Sequence, residues 1–129
     1  MGVGVGIGDA LGGKVLDVLV PGGAYDPVTK AGWNASPNRG VWKYVNRSAT
    51  PPAGITGVAI KDLSQKLPGL VQVIVRGRRG AYPIAPAMLP LTGLLILDPP
   101  TAEMGQCGQA SFVGPSPACS TGGRTVRCK

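Results

Sequence analysis

The chain has 129 residues, enough for one domain with a modest core, and a formal charge of +7 with no histidine. The missing imidazole excludes Ser-His-Asp and Cys-His catalysis, mixed Cys/His zinc sites and c-type haem attachment. Glycine and proline make up about a quarter of the residues, yet 43% are hydrophobic, enough apolar surface to offset chain entropy in a turn-rich fold.

The first element is Gly2-Val3-Gly4-Val5-Gly6-Ile7-Gly8. Its strict alternation predicts a strand with Val3, Val5 and Ile7 on one face and bare backbone on the other. Such a strand needs a close partner, and strand addition to a neighbouring copy is one way to supply it. The Gly8–Lys14 stretch has the Gly-x4-Gly-Lys spacing of a phosphate loop. Val15 stands where that motif needs Ser or Thr, and a strand follows instead of a helix, so the stretch reads as a glycine turn.

Lys14–Val20 is the next strand and ends at Pro21-Gly22-Gly23; residues 24–40 read as a long loop. Val41–Val45 is a half-buried strand, with Trp42 expected in the core and Trp33 exposed in the loop. Ile55–Lys61 follows Pro51-Pro52, and Asp62–Lys66 links it to Leu70–Arg76, a strand rich in β-branched residues. Gly77-Arg78-Arg79-Gly80 reads as a hairpin tip leading to a strand over 81–84. Leu91–Leu97 suits a central strand buried on both faces, and 108–113 and 124–128 complete the set. The stretch from Pro83 to Pro100 is apolar but too interrupted by proline for a membrane helix.

Seven or eight short strands separated by turns predict an all-β fold. The form expected is an antiparallel two-sheet sandwich, Ig-like or jelly-roll-like, with a small β-barrel as the alternative. Residues 1–20 would form a glycine-rich strand segment and 21–129 the sandwich. Met1-Gly2-Val3 begins no secretion signal, yet the cysteine-bearing tail favours a chain cut from a longer secreted protein.

Charge is uneven. Residues 1–38 carry Asp9, Asp17 and Asp26 against Lys14 and Lys30; from Arg39 onward eleven Lys/Arg face Asp62, Asp98 and Glu103. Arg76, Arg78 and Arg79 crowd one predicted hairpin, and Lys43 and Arg47 flank Trp42 and Tyr44. These five cations are the candidates for binding a polyanion, with Trp33 and Tyr82 as candidate stacking residues. The scattered carboxylates, of which only Asp62 and Asp98 end strands, assemble no nucleophile–base pair, so no enzyme, metal or cofactor is expected. If 108–113 and 124–128 were paired, Cys107 would face Cys128, leaving Cys119 free or bonded to another chain. The flexible 114–123 loop also permits Cys119 to reach either partner.

Several segments together carry a resemblance: Gly32-Trp33, Val41-Trp42-Lys43-Tyr44, Gly54-Ile55, Ile60-Lys61-Asp62, Pro68-Gly69-Leu70-Val71, Tyr82-Pro83, Leu89-Pro90, Leu97-Asp98, Gly105-Gln106-Cys107, Cys119 and Cys128-Lys129. Over about residues 21–129 the chain resembles β-rich modules with a three-cysteine tail in secreted or surface proteins of bacteria. The resemblance implies an extracellular location and modular use, and brings no catalytic residue. The leading expectation is a structural, self-associating module forming a homo-oligomer or filament through Val3, Val5 and Ile7. The alternative is a binding module for acidic glycan or nucleic acid.

Overall fold

The computed structural model describes residues 2–99 and 106–129. The fold is all-β with antiparallel sheets, as the turn-separated apolar runs predict. Among the described residues there are ten strands: β1 (Gly2–Gly8), β2 (Lys14–Pro21), β3 (Ala31–Ser36), β4 (Val41–Asn46), β5 (Ile55–Asp62), β6 (Val71–Gly77), β7 (Thr92–Leu97), β8 (Cys107–Ser111), β9 (Cys119–Gly122) and β10 (Thr125–Cys128). They form two four-stranded sheets, the number a two-sheet sandwich requires, and a separate hairpin. Each four-stranded sheet is open, with two edge strands, so the barrel alternative does not hold. Among the described residues no helix is long and apolar enough to cross a membrane.

The chain divides into two compact units, Met1–Val20 with Tyr82–Lys129, and Pro21–Ala81. The first unit holds the sheet β2-β1-β7-β8 and the β9–β10 hairpin. Residues 1–20 are therefore not a segment of their own, because β1 pairs antiparallel with β7 from Val3↔Leu97 to Gly8↔Thr92. Val3 and Val5 are buried, as are Leu16, Val20 and Leu91. The glycines of β1 face β7 side chains at contact distance: a Cβ on Gly4 would lie 3.4 Å from that of Ile96, and one on Gly6 3.5 Å from that of Leu94, both ordinary contacts. Strand β7 is central, as expected, but not buried on both faces: Leu94 at 39% and Leu97 at 37% are exposed, one on each face, and its other residues are half-buried.

The second unit is a meander, β3-β4-β5-β6. Strand β3 lies inside the stretch expected to be loop. Its Gly, Asn and Ser mask any alternation, and the ladder to β4 from Ala31↔Asn46 to Ser36↔Val41 supplies what local propensity does not. Tyr44, Ile55, Val58 and Ile60 are buried on one face. The core aromatic is thus Tyr44; Trp42 is only half-buried. Asn46, the buried polar residue, donates from Nδ2 to Tyr44 Oη at 2.9 Å and accepts from Ser48 N–H and Oγ–H at 2.9 and 2.6 Å.

Two further expectations fail for reasons visible in the backbone. Residues 81–84 are not a strand, because Pro83, Pro86 and Pro90 remove ladder donors at short intervals. The 77–80 turn is not a hairpin tip either, since the N–H groups of Arg78 and Arg79 bond the Gly54 carbonyl at 3.0 and 3.3 Å.

The disulfide joins Cys119 to Cys128, with Cα atoms 4.0 Å apart, and Cys107 is the free, exposed cysteine. The expected Cys107–Cys128 bridge is corrected by the strand pairing. Gly122 faces Thr125 across a two-residue turn, where Gly123 takes a φ of 57°. The Cys119–Gly122 segment thereby becomes the partner of Thr125–Cys128, and the two cysteines stand opposite each other. Strand β8 pairs instead with β7, placing Cys107 beside Ile96.

Candidate functional site

Three cations, Lys43, Lys61 and Arg76, share the outer face of the β3–β6 sheet. Register fixes this face: Lys43 stands opposite Ala59 and Ala59 opposite Ile74; Val45, Gly57 and Arg76 form the next row; Val41, Lys61 and Gln72 form the row on the other side. Successive residues of a strand point to opposite faces, so all of these lie together, away from Tyr44, Val58 and Ile60. The result is a groove of about 330 Å³, floored by Gly57 and Ala59 and walled by Lys43, Val45, Ile74 and Arg76, with Lys61 at one end.

The floor is low because β5 places its smallest residues there, between longer side chains on β4 and β6. Ala59 is only 9% exposed although it belongs to the outer face, so its neighbours shield it. Strand spacing and rise put the three cationic Cα atoms roughly 8 Å (Lys43 to Lys61), about 12 Å (Lys43 to Arg76) and about 14 Å (Lys61 to Arg76) apart. Among the described residues none of the three has a carboxylate partner; the ion pair seen there joins Lys14 to Asp17 at 2.8 Å. Asp62, next to Lys61 in the chain, falls on the opposite parity. Its Oδ1 accepts from Ser64 N–H at 2.8 Å and from Ser64 Oγ–H. The Ser64 hydroxyl and amide hold this carboxyl below its usual value.

Of the five cations expected to act together, the sheet unites Lys43 and Arg76. Arg78 and Arg79 occupy the turn anchored to Gly54, and the Arg79 guanidinium donates to the Ser48 carbonyl oxygen. Arg47 follows β4 at that same end, its amide bonded to the Lys30 carbonyl. Lys61 was not among the expected five. Its signal was present in β5, where Gly57, Ala59 and Lys61 alternate with Val58 and Ile60.

The candidate stacking residues do not join the groove. Trp33 donates its Nε1–H to the Pro21 carbonyl at 2.8 Å and tilts against Tyr44, ring centroids 5.5 Å apart at 50°. Tyr82 belongs to the other unit, and burial raises its hydroxyl pKa. Nor do Val3 and Val5 offer a contact surface: both are buried, and β1 has β2 on one side and β7 on the other. Both edges of β1 are thus filled within the chain, which corrects the expected strand addition through Val3, Val5 and Ile7. Asp62 and Asp98 fall in different units. Another depression, about 260 Å³ beside Leu89, Phe112 and Cys119, is lined by no ionisable side chain.

Comparison with protein-family models, with curated protein sequences and with solved structures finds no match to this chain.

Proposed function

We propose that the chain is an extracellular module that binds acidic glycans through the Lys43–Lys61–Arg76 groove. The observation that carries this reading is the set of three cations, without a carboxylate partner among the described residues, around a floor of Gly57 and Ala59. Sulfate or carboxylate groups of successive sugars would pair with the ammonium and guanidinium groups, while a ring rests on the low floor between Val45 and Ile74. The Cα triangle of roughly 8–14 Å is on the scale of neighbouring sugars in a chain, so one anion per cation can be engaged. No exposed aromatic side chain lines the groove, which favours charge-paired sugars over stacked nucleobases. The Cys119–Cys128 disulfide agrees with an oxidising compartment.

Elution from immobilised heparin tests the reading. Each exposed cation–anion pair contributes about 0.2–1 kcal/mol, so Lys43→Ala/Arg76→Ala should weaken binding about 2- to 30-fold by that same measure and elute at lower salt. Gly57→Leu fills the floor and should have the same effect with all charges kept; a Cβ there lies 3.5 Å from the Tyr44 carbonyl oxygen, an ordinary contact. Arg78→Ala/Arg79→Ala should elute like the parent. Equal losses from both double variants would reduce the effect to net charge and refute the groove.

A second reading, self-association, rests on β8. It is an edge strand, all five of its residues are exposed, and it starts at the free Cys107. Light scattering and non-reducing mass spectrometry of the parent and Cys107→Ser test it. A single monomeric species in both would refute it.

A further inference from the structure

The two turns at one end of the β3–β6 sheet form a surface that the glycan reading touches only at Lys61. The β3–β4 connection runs through Pro37–Arg39 and Gly40, and the β5–β6 connection spans 63–70. The Asp62 amide bonds the Gly40 carbonyl at 2.8 Å and so ties the two turns together. The longer turn is closed by its own backbone. Leu63 N–H bonds the Leu70 carbonyl, Lys66 and Leu67 N–H bond the Leu63 carbonyl, and Leu70 N–H bonds the Leu67 carbonyl.

That bonding holds apolar side chains outward. Leu67 is 59%, Leu70 39% and Val71 50% exposed, the three within five residues. Of the other exposed large apolar residues, Leu11, Leu19, Val28 and Val113 stand singly on separate segments, and Leu94 and Leu97 fall on opposite faces of β7. A Cβ built on Gly69 meets no atom within 4 Å, so the turn is open to solvent at that position. Exposed Arg39 and Lys66 and half-buried Lys61 belong to the same end. The acid there, Asp62, has Oδ1 engaged by Ser64.

We propose that this end docks on an anionic lipid bilayer. Leu67, Leu70 and Val71 would enter the boundary between headgroups and acyl chains, with Arg39, Lys61 and Lys66 against the anionic headgroups. Apolar residues ringed by cations are the pattern by which proteins lie on such surfaces without spanning them. Charge complementarity selects this occupant: a bilayer presents negative charge around an apolar layer, as this end presents positive charge around apolar side chains. The inference shares Lys61 with the glycan groove; its apolar residues, Arg39 and Lys66 lie outside that groove.

The test is co-sedimentation of the full chain with vesicles of phosphatidylcholine and phosphatidylserine, and with vesicles of phosphatidylcholine alone. The parent should sediment with the mixed vesicles and stay in solution with the others. Leu67→Ser/Leu70→Ser keeps every charge and should reduce partitioning by about tenfold or more. Lys66→Ala should reduce it about fivefold, while Lys43→Ala/Arg76→Ala should sediment like the parent. Melting curves confirm that the variants are folded; if the double leucine variant is not, Lys66→Glu with its larger expected loss decides. Absence of sedimentation by the parent, or full binding by the folded double leucine variant, would overturn the proposal. So would a concentration-dependent dimer that the leucine substitutions abolish, since the tip would then be a contact between copies.

Discussion

Two glycines with nearly the same backbone conformation should respond very differently to alanine. Gly54 has a φ of 74° and Gly69 a φ of 76°. A left-handed alanine costs about 1–2 kcal/mol at either site. At Gly69 that is the whole cost, because an added Cβ meets open space. At Gly54 the Cβ would lie 2.1 Å from Gly80 N and 2.4 Å from the Arg79 carbonyl carbon. These are backbone atoms and cannot rotate aside, so the 78–80 turn must move. Its two bonds to the Gly54 carbonyl, from Arg78 and Arg79, are then lost at about 1 kcal/mol each. Gly54→Ala should therefore cost about 3–4 kcal/mol, against about 1–2 for Gly69→Ala. For a chain of this size that corresponds to Tm reductions of roughly 12–16 °C and 4–8 °C. Denaturant unfolding and calorimetry of both variants give the comparison. Values within about 1 kcal/mol of each other, less than the two lost hydrogen bonds are worth, would refute the claim that the 78–80 turn is rigidly packed on Gly54.

Two more outcomes follow from local geometry. Cys119→Ser/Cys128→Ser opens a short loop and should destabilise the first unit by roughly 2–3 kcal/mol. Non-reducing peptide mapping should link Cys119 to Cys128 and find Cys107 alkylated, so a bridge containing Cys107 would contradict the β9–β10 pairing. Asp62 is held below its usual pKa by the Ser64 hydroxyl and amide. A carboxyl depressed in the folded state stabilises it above the unfolded pKa of about 3.9, and that contribution is lost as pH falls through the lower folded value. Ser64→Ala should move the Asp62 titration upward, read by carboxyl carbon shifts, and an unmoved titration would show that the hydroxyl plays no part.

The strands were legible wherever pattern and propensity agree. Val71-Gln72-Val73-Ile74-Val75 and the Gly/Val alternation of β1 declare themselves within a few residues. Strand β3 does not, because Ala31-Gly32-Trp33-Asn34-Ala35-Ser36 has no apolar face and exists through its ladder to β4. Lys43 and Arg76 were legible as cations beside a strand. Their meeting over Gly57 was not, since it depends on the register of three strands at once. The cysteine pairing turned on one turn: Gly123-Arg124 closes a tight hairpin between Gly122 and Thr125, whereas assigning 108–113 as the partner of 124–128 gives a different bridge.

Local chemistry thus determined the class of this protein: period-two runs between glycine and proline turns make strands, and the lack of histidine bounds the reactions available. Tertiary structure decided partners and faces. Val3 meets Leu97 across more than ninety residues of sequence, and no local pattern encodes that choice. A one-residue slip of β5 against β4 or β6 would turn Gly57, Ala59 and Lys61 to the other face and abolish the groove. Alternation is a property of a few neighbouring residues, whereas register is set by the packing of whole strands, so only the folded sheet brings Lys43, Lys61 and Arg76 around one floor.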